Sequence, residues 1–218
     1  MYTDKIILTD KPLDWTSTDV VRFLKKKLSL KKVGHAGSLD PRATGLLILC
    51  TDKMTKRINE FMDYEKEYQG IIRIGARTKT YDTESEEEDF REVSGVSGKM
   101  IEDVRKTFVG ETEQIPPMHS ALKLNGRPLY KLARKGETVE LKARKIVIKE
   151  FGIKRLNDEE IFFNIICSKG TYIRSIANDF GEKLGVGGYL KELRRTRIGI
   201  YDLNNLNETA GEIKFSAI

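Results

Sequence analysis

Residues Gly34–Gly45 form the stretch GHAGSLDPRATG, which holds three glycines, one proline and a single acidic residue. A strongly apolar run, Leu46–Cys50, follows directly. Glycine permits positive φ and a close approach of the backbone to a ligand, and Pro41 fixes the turn after the acid. The pattern therefore predicts a shaped loop that presents Asp40 beside a buried strand. Composition alone leaves open whether the loop carries chemistry, because most loops rich in glycine and proline do not.

The composition is that of a globular protein, with 218 residues of which 39% are hydrophobic and 33% charged. This length suits one larger domain or two small ones. No apolar run approaches the roughly 20 residues of a membrane span, and the first residues lack the features of a secretory signal. Cys50 and Cys167 lie in apolar runs, as small buried residues do in a reducing compartment, so a cytoplasmic location is expected. His35 and His119 are the only histidines and no CxxC occurs, so neither a metal ion nor a cofactor is expected.

The charge is unevenly distributed. The net charge is +6, but the segment Glu84–Glu92 holds six acids and one arginine, and the rest of the chain carries +11. A basic body with one segregated acidic segment suits a polyanionic partner that approaches away from that segment. A solvated, lysine-rich surface has the same composition and is the alternative.

The apolar periodicity predicts a mixed order of helices and strands. Helices are expected from a cap at Ser17 or Thr18, at about residues 53–62, at Ser97–Phe108 and at Tyr172–Leu184, the last ending at Gly185. Strands are expected at Ile6–Leu8, from Leu46, and at Tyr68–Ile74, Lys145–Arg155, Ile161–Ser168 and Leu190–Leu203. The longer polar and acidic stretch Thr78–Glu92, which contains the segment Glu84–Glu92, is expected to be a mobile loop. No repeat or linker divides the chain, so a single domain, residues 1–218, is expected, with a short tail from about residue 204.

The Gly34–Gly45 stretch fits the pattern Gly-His-x-Gly-x-Leu-Asp-Pro-x-Ala-x-Gly at every fixed position. In this and in four further segments the chain resembles the TruB family of pseudouridine synthases, from about Ile6 to Gly199. The further segments, in the family's order, are Asp10-Lys11-Pro12, Lys66-Glu67-Tyr68, Gly170-Thr171-Tyr172-Ile173-Arg174 and Leu190–Gly199 (LKELRRTRIG). Five motifs in order are far more specific than a single glycine pattern.

The resemblance implies the pseudouridine synthase fold. This is an α+β architecture in which a mixed, mainly antiparallel sheet is flanked by helices and has a central RNA-binding cleft. Because little sequence follows Tyr201, neither a PUA domain nor the C-terminal RNA-binding extension that many members carry is expected.

The resemblance also implies that Asp40 is the catalytic residue. Conversion of uridine to pseudouridine breaks the N1–C1′ bond, turns the base and rejoins it through C5, with no group or electron supplied from outside. Two roles fit the carboxylate: covalent addition to C1′, or removal of the 2′ proton to form a glycal. Both require an ionised carboxylate, which burial alone disfavours. Arg174 matches the family's arginine that pairs with this aspartate, and its planar fork suits a carboxylate.

The resemblance assigns the remaining site residues to binding or support. These are His35 (packed on the RNA loop), Tyr68 (stacked on the flipped base), Tyr172 and Leu193 (lining the pocket), and Lys11 and Pro12 (supporting the catalytic loop). Without the resemblance, the tyrosine and leucine would be ordinary core residues and the histidine a structural one. Plausible phosphate contacts are Lys31, Lys32, Arg194, Arg195 and Arg197, although a solvated surface role is the alternative for each.

The substrate implied is the uridine at position 55 of transfer RNA, in a T stem-loop that is recognised by shape and phosphates. No membrane and no obligatory protein partner are expected, and the chain is expected to be a monomer. Two alternatives are the catalytic subunit of a guide-dependent synthase of the H/ACA type and a non-catalytic tRNA-folding module. A nucleoside hydrolase or glycosidase is a third, but it would ordinarily show a second catalytic carboxylate or a metal site, and the sequence indicates neither.

Overall fold

A computed structural model describes residues 2–120, 122–124, 126–137, 139–204, 206–211 and 213–218. The chain forms two compact units. The first unit comprises Met1–Gln69, Ile166–Lys169 and Glu192–Ile218, and the second comprises Gly70–Ile165 and Gly170–Lys191. Among the described residues, no helix has the length and apolar character that a membrane span requires.

The helices and strands alternate irregularly along the chain. The helices are α1 (Ser17–Lys27), α2 (Ile58–Met62, preceded by a 3₁₀ turn at Asp52–Arg57), α3 (Gly98–Lys106), α4 (Leu129–Ala133) and α5 (Ile173–Leu184). The strands are β1 (Ile6–Lys11), β2 (Val33–Ala36), β3 (Ala43–Thr51), β4 (Lys66–Ile74), β5 (Arg77–Thr78), β6 (Glu87–Glu88), β7 (Gly110–Gln114), β8 (Lys123–Leu124), β9 (Arg127–Pro128), β10 (Arg144–Arg155), β11 (Glu160–Cys167), β12 (Gly188–Ile198), β13 (Tyr201–Asp202), β14 (Glu208–Ala210) and β15 (Ile213–Ala217).

The first unit is built on a mixed, mainly antiparallel sheet, which confirms the predicted α+β class. Its strand order is β14-β15-β1-β3-β12, with β2 also paired to β3 and β13 to β12. The pairing of β3 with β12 is parallel, whereas β1 is antiparallel to both β3 and β15. Strand β3 is buried on both faces, as its nearly continuous apolar sequence predicts. Val20 and Leu24 of α1 pack on one face, against Ile7, Leu47 and Leu49.

The second unit has the strand order β4-β11-β10-β7. Helix α3 packs against α5 and β10. Four phenylalanine rings form edge-to-face and stacked contacts in its interior, and these are Phe108, Phe151, Phe163 and Phe180. Such aromatic pairs add to the stabilisation that the buried apolar area supplies.

Helix α1 begins one or two residues earlier than predicted. Its N-cap is Thr16, and not Ser17 or Thr18. The Thr16 hydroxyl accepts from the backbone N–H of Asp19 at 3.1 Å, and the Asp19 carboxylate accepts from the Thr16 N–H at 3.0 Å. This reciprocal capping box satisfies two backbone donors that the helix leaves unpaired, and it frees Ser17 for a different contact.

Two segments expected to be irregular are ordered by long-range contacts. The short tail expected from about residue 204 instead contains β14 and β15, and β15 pairs with β1 so that Ala217 lies opposite Ile7. The expected mobile loop Thr78–Glu92 contributes to the pair β5–β6, and within it Asp82 is buried. The β15–β1 pairing and the contact of Asp82 with Arg174 depend on partners far away in the chain, whereas β5 and β6 are close in sequence.

Candidate active site

The loop that carries Asp40 connects β2 to β3 by a tight turn. The N–H of Ala43 donates to the carbonyl oxygen of Asp40 at 3.1 Å, which closes the turn around Pro41. Gly45 then passes directly against β12: its φ is +105°, and an added Cβ would lie 2.2 Å from the carbonyl oxygen of Arg195. Only glycine fits this position, so part of the glycine pattern serves the packing of the loop.

Lys11 supports the loop from its amino-terminal side. The side chain is fully buried, and its Nζ donates to the carbonyl oxygens of Pro12 (2.9 Å), Trp15 (2.6 Å) and Pro41 (3.3 Å). Burial lowers the pKa of Lys11 from 10.5 to about 8, and the charge of Asp40 acts in the opposite direction. Lys11 therefore bonds to the residue after Asp40 and lies within electrostatic reach of its carboxylate.

Helix α1 provides a second support. The Ser17 hydroxyl accepts from the N–H of Leu39 at 2.9 Å, and the N–H of Asp14 donates to the carbonyl oxygen of Pro41 at 2.9 Å. These bonds fix the backbone on both sides of Asp40 to the segment that begins α1.

Arg195 supports the loop from the opposite side, a role that the sequence did not indicate. The side chain is 1% exposed. Its Nε donates to the carbonyl oxygen of Leu46 at 2.7 Å, Nη2 to that of Gly37 at 3.1 Å, and Nη1 to that of Ser38 at 3.4 Å. The prediction that Arg195 contacts phosphate is wrong, because a guanidinium buried to this degree is not accessible to RNA.

Tyr68 and Leu193 lie near the same loop. Tyr68 on β4 is 9% exposed, and burial raises the pKa of its hydroxyl. Arg195 bonds to that hydroxyl and lowers its pKa, whereas the nearby charge of Asp40 raises it. Leu193 on β12 lies opposite Ala43, three residues after Asp40. The first unit thus brings together four of the predicted site residues, which are Lys11, Asp40, Tyr68 and Leu193.

His35 lies on β2, opposite Leu49 of β3. Its pKa is lowered by burial and, to a smaller extent, by the charge of Arg195, so the neutral imidazole is favoured at neutral pH. Its buried Nδ1 makes no hydrogen bond with any residue that the structure describes. The residue as a whole is partly exposed.

In the second unit, Tyr172 and Arg174 stand at the start of α5. Gln114 holds the backbone of Tyr172 on both sides, accepting from its N–H at 2.8 Å and donating to its carbonyl oxygen at 3.0 Å. The guanidinium of Arg144 lies 4.8 Å from the centre of the Tyr172 ring, in a cation–π contact. The tyrosine is thus held by two neighbours in the same unit.

Arg174 is 5% exposed and is held by several partners. Its guanidinium donates to the carbonyl oxygens of Thr80 (3.2 Å) and His119 (2.9 Å), and its Nε lies 3.6 Å from Oδ2 of Asp82. Asp82 also accepts from the Thr80 hydroxyl at 2.6 Å. Asp82 was not among the predicted site residues, because it lies in Thr78–Glu92, which was expected to be a mobile loop. The sequence did offer one indication, because a buried arginine such as Arg174 needs an acid nearby.

The other predicted phosphate contacts differ in their surroundings. Arg194 pairs with Asp10 at 2.6 Å, and Arg197 pairs with Glu65 at 3.2 Å and Glu67 at 3.0 Å. Lys31 and Lys32 are exposed.

Two family models match consecutive parts of the chain. The model of the TruB family pseudouridylate synthase N-terminal domain matches residues 25–173, and that of the tRNA pseudouridylate synthase B C-terminal domain matches residues 174–211. The chain belongs to the TruB family of pseudouridylate synthases. It is therefore an isomerase, and the resemblance found in its motifs is confirmed.

Curated relatives are similar over most of their length. A tRNA pseudouridine synthase B of Chlorobaculum tepidum is 50% identical over 204 residues, which cover 91% of this chain and 85% of the relative. A tRNA pseudouridine synthase B of Flavobacterium johnsoniae is 47% identical over 208 residues, which cover 92% of this chain and 91% of the relative.

Solved structures confirm the fold. A chain in the crystal structure of a Cbf5-Nop10-Gar1 complex is 29% identical, with a TM-score of 0.73, over 93% of this chain and 51% of that one. A chain in an H/ACA RNP bound to a substrate RNA containing 2′-deoxyuridine is 27% identical, with a TM-score of 0.69. This chain spans about half the length of each of these two.

Proposed function

We propose that this enzyme converts uridine to pseudouridine at position 55, in the T loop of tRNA, with Asp40 as the catalytic carboxylate. The main support is the set of buried polar side chains that hold the loop of Asp40: Lys11 and Arg195 donate to its carbonyl oxygens, and Ser17 accepts from the N–H of Leu39. Catalytic groups have to be held rigidly by residues that do not themselves react. The names of the relatives, which are tRNA pseudouridine synthases B, support the choice of tRNA.

In this proposal Asp40 acts on the sugar of the target nucleotide. It adds to C1′ or removes the 2′ proton, and in either case the N1–C1′ bond breaks while the base stays in the pocket. The base turns and C5 bonds to C1′; in the first case the Asp40–C1′ bond breaks at this step, and in the second the proton taken from C2′ returns to it. The C5 proton leaves for solvent while N1 takes up a proton. The positive charge of Lys11 favours the ionised form of Asp40 that both roles need.

Tyr68 provides a flat ring for the extruded base. A uridine within a stacked loop cannot reach the carboxylate, so it leaves the stack, and an aromatic face replaces part of the lost stacking. The raised pKa of Tyr68 keeps its hydroxyl protonated at neutral pH. His35 is proposed to pack against the RNA loop and help displace the target nucleotide, which is supported by its partial exposure on β2.

Arg174 is proposed to pair with Asp40, and Tyr172 to line the same pocket. The support comes from within the second unit, where the Arg174 guanidinium is fixed by carbonyl oxygens and by Asp82. A guanidinium fixed in this way retains its charge and orientation, as a carboxylate partner requires.

A guide-dependent synthase is the second candidate, because the solved structures that resemble this chain include an H/ACA RNP. One observation favours the guide-independent reaction. The chain is 50% and 47% identical to the two curated relatives, against 29% and 27% for the two structures. No obligatory protein partner is therefore proposed.

The test is incubation of the purified protein with an unmodified tRNA transcript and no guide RNA. Pseudouridine is mapped by carbodiimide-dependent primer extension, and turnover is measured by tritium release from 5-tritiated uridine. We expect one product in the T loop, and we expect Asp40→Asn to abolish turnover while stem-loop binding persists. A product outside the T loop or a need for guide RNA would reassign the substrate. Full turnover by Asp40→Asn would remove Asp40 from the mechanism.

A further inference from the structure

The surface formed by α1 and the segment that follows it is strongly basic. No acidic residue occurs between Val20 and Leu39. Six cationic side chains there are exposed, namely Arg22, Lys25, Lys26, Lys27, Lys31 and Lys32, and we call this set the α1 basic surface. The opposite face of α1, with Val20 and Leu24, is buried in the core, so the helix has a fixed orientation.

The lysines of the α1 basic surface are not neutralised by acids. Among the described residues, none of these five lysines forms an ion pair, and Arg22 has only a long contact of 3.8 Å with Asp19. Many other cations of the same unit do have acidic partners, although Lys5, Lys56 and Lys214 have none among the described residues. Such pairs are Arg42–Asp14, Lys53–Asp4, Arg57–Glu60, Lys169–Asp63, Arg194–Asp10 and Arg197–Glu67.

Leaving these charges unpaired has an energetic cost. Like charges three or four residues apart on a helix, such as Arg22 with Lys25 and Lys26, destabilise it by about 0.2–0.5 kcal/mol per pair. The helix dipole compensates cations in the last turn, where Lys25, Lys26 and Lys27 lie. It does not account for Arg22, nor for Lys31 and Lys32, which lie beyond the helix. A polyanion bound to this surface would remove the repulsion.

The position of the α1 basic surface relative to Asp40 is set within the first unit. Ser17, at the start of α1, bonds to Leu39, the neighbour of Asp40. The helix then extends for 11 residues, about 16 Å at 1.5 Å per residue. Lys31 and Lys32 directly precede β2, which leads back to the loop. The surface begins at Arg22, five residues beyond Ser17, and therefore lies near enough to the loop of Asp40 to contact the same RNA molecule.

We propose that the α1 basic surface binds the phosphate backbone of the tRNA stem that adjoins the flipped nucleotide. The proposal rests on the proposed function. A duplex presents a charge roughly every few ångströms along each strand. The cations of α1 span about 8 Å from Arg22 to Lys27 at 1.5 Å per residue, so together with Lys31 and Lys32 they face several phosphates. Flexible lysines suit such contacts, which add affinity and set the register of the stem without reading its bases.

The experiment measures the affinity of full-length tRNA by filter binding at several salt concentrations, together with KM from tritium release. The variants are the double substitutions Lys25→Gln with Lys26→Gln, and Lys31→Gln with Lys32→Gln. The matched control is Lys99→Gln with Lys154→Gln, which removes two exposed lysines from the second unit. Thermal unfolding monitored by circular dichroism checks that every variant folds.

We expect each double variant to raise Kd and KM and to reduce the slope of log Kd against log salt by about 1.5, since each lost phosphate contact contributes about 0.7–0.9. The control should leave all three values unchanged. Slopes equal to that of the control in both variants would overturn the proposal. Absence of pseudouridine in tRNA treated with the wild-type protein would instead count against the proposed function, because the binding slopes are measured independently of turnover.

Discussion

The guanidinium of Arg195 donates to the carbonyl oxygen of Gly37 at 3.1 Å, inside the loop that carries Asp40. Two further carbonyl oxygens, of Ser38 and Leu46, accept from the same side chain. One buried cation on β12 therefore holds the entry to the loop and the strand that leaves it. The charge of Arg195 also acts on Tyr68 and His35, so the proposed binding residues share one electrostatic neighbour.

Arg195→Lys should lower kcat with little change in KM. An ammonium group cannot reproduce the planar fork, so at least one buried carbonyl oxygen loses its donor, at about 1–3 kcal/mol of stability. Displacement of Asp40 by the relaxed loop should reduce the rate by about tenfold to a hundredfold. Single-turnover tritium release, with tRNA affinity measured in parallel, separates the two effects. Arg57→Lys is the charge-matched control on the surface, and equal rates in the two variants would show that Arg195 does not position the loop.

Local signals explain which elements could be predicted from the sequence. The apolar run at Leu46 became β3, which is buried on both faces. Ser97 caps α3 through the N–H of Met100, and Gly185 ends α5 with a φ of +81°. These features depend on residues within one turn or one strand, so composition and spacing were sufficient. Asp40 needed more, because its loop became meaningful only through the resemblance of the whole motif.

The features that were missed depend on distant partners. Arg194 and Arg195 are adjacent arginines that the sequence does not distinguish. Only Arg195 is buried, where β12 pairs with β3. Asp82 lies in an acidic segment, and its burial follows from its contact with Arg174. The last strand, β15, is defined by pairing with β1 at the other end of the chain. A pattern read along the sequence contains no information about such pairings until the fold is known.

The titration of Lys11 should make the free energy of unfolding rise with pH between about 8 and 10.5. Burial lowers the pKa of Lys11 to about 8, below its ordinary value of 10.5, so between these values the unfolded chain binds more protons than the folded one. The free energy of unfolding from this group then rises with pH, by at most about 1.4 kcal/mol per pH unit. Urea unfolding at pH 7, 8.5 and 9.5 should show the wild type gaining stability relative to Lys11→Met as pH rises. A constant difference between the two proteins would mean that the buried amine does not titrate in this range.

Gly45→Ala should be severely destabilising. The new Cβ would lie 2.2 Å from the carbonyl oxygen of Arg195, and the φ of +105° is unfavourable for any other residue. The expected loss exceeds about 3 kcal/mol, because backbone on both sides has to shift. Urea denaturation is compared with Gly98→Ala, where an added Cβ meets no atom within 4 Å. Similar midpoints for the two variants would contradict the close packing of β3 on β12.

Asp82→Asn should weaken both the fold of the second unit and the reaction. The substitution keeps the size of the side chain and removes the negative charge next to the buried guanidinium of Arg174, whose Nε lies 3.6 Å from Asp82. Loss of one partner from a buried ion pair costs about 3–5 kcal/mol, and the amide can still accept a hydrogen bond, so we expect the lower part of that range. Because Arg174 would lose part of its anchoring, kcat should fall by at least about tenfold. Glu86→Gln removes an exposed charge from the same acidic segment and is the matched control. If both variants turned over tRNA at the wild-type rate, Asp82 would have no part in holding Arg174 for the reaction.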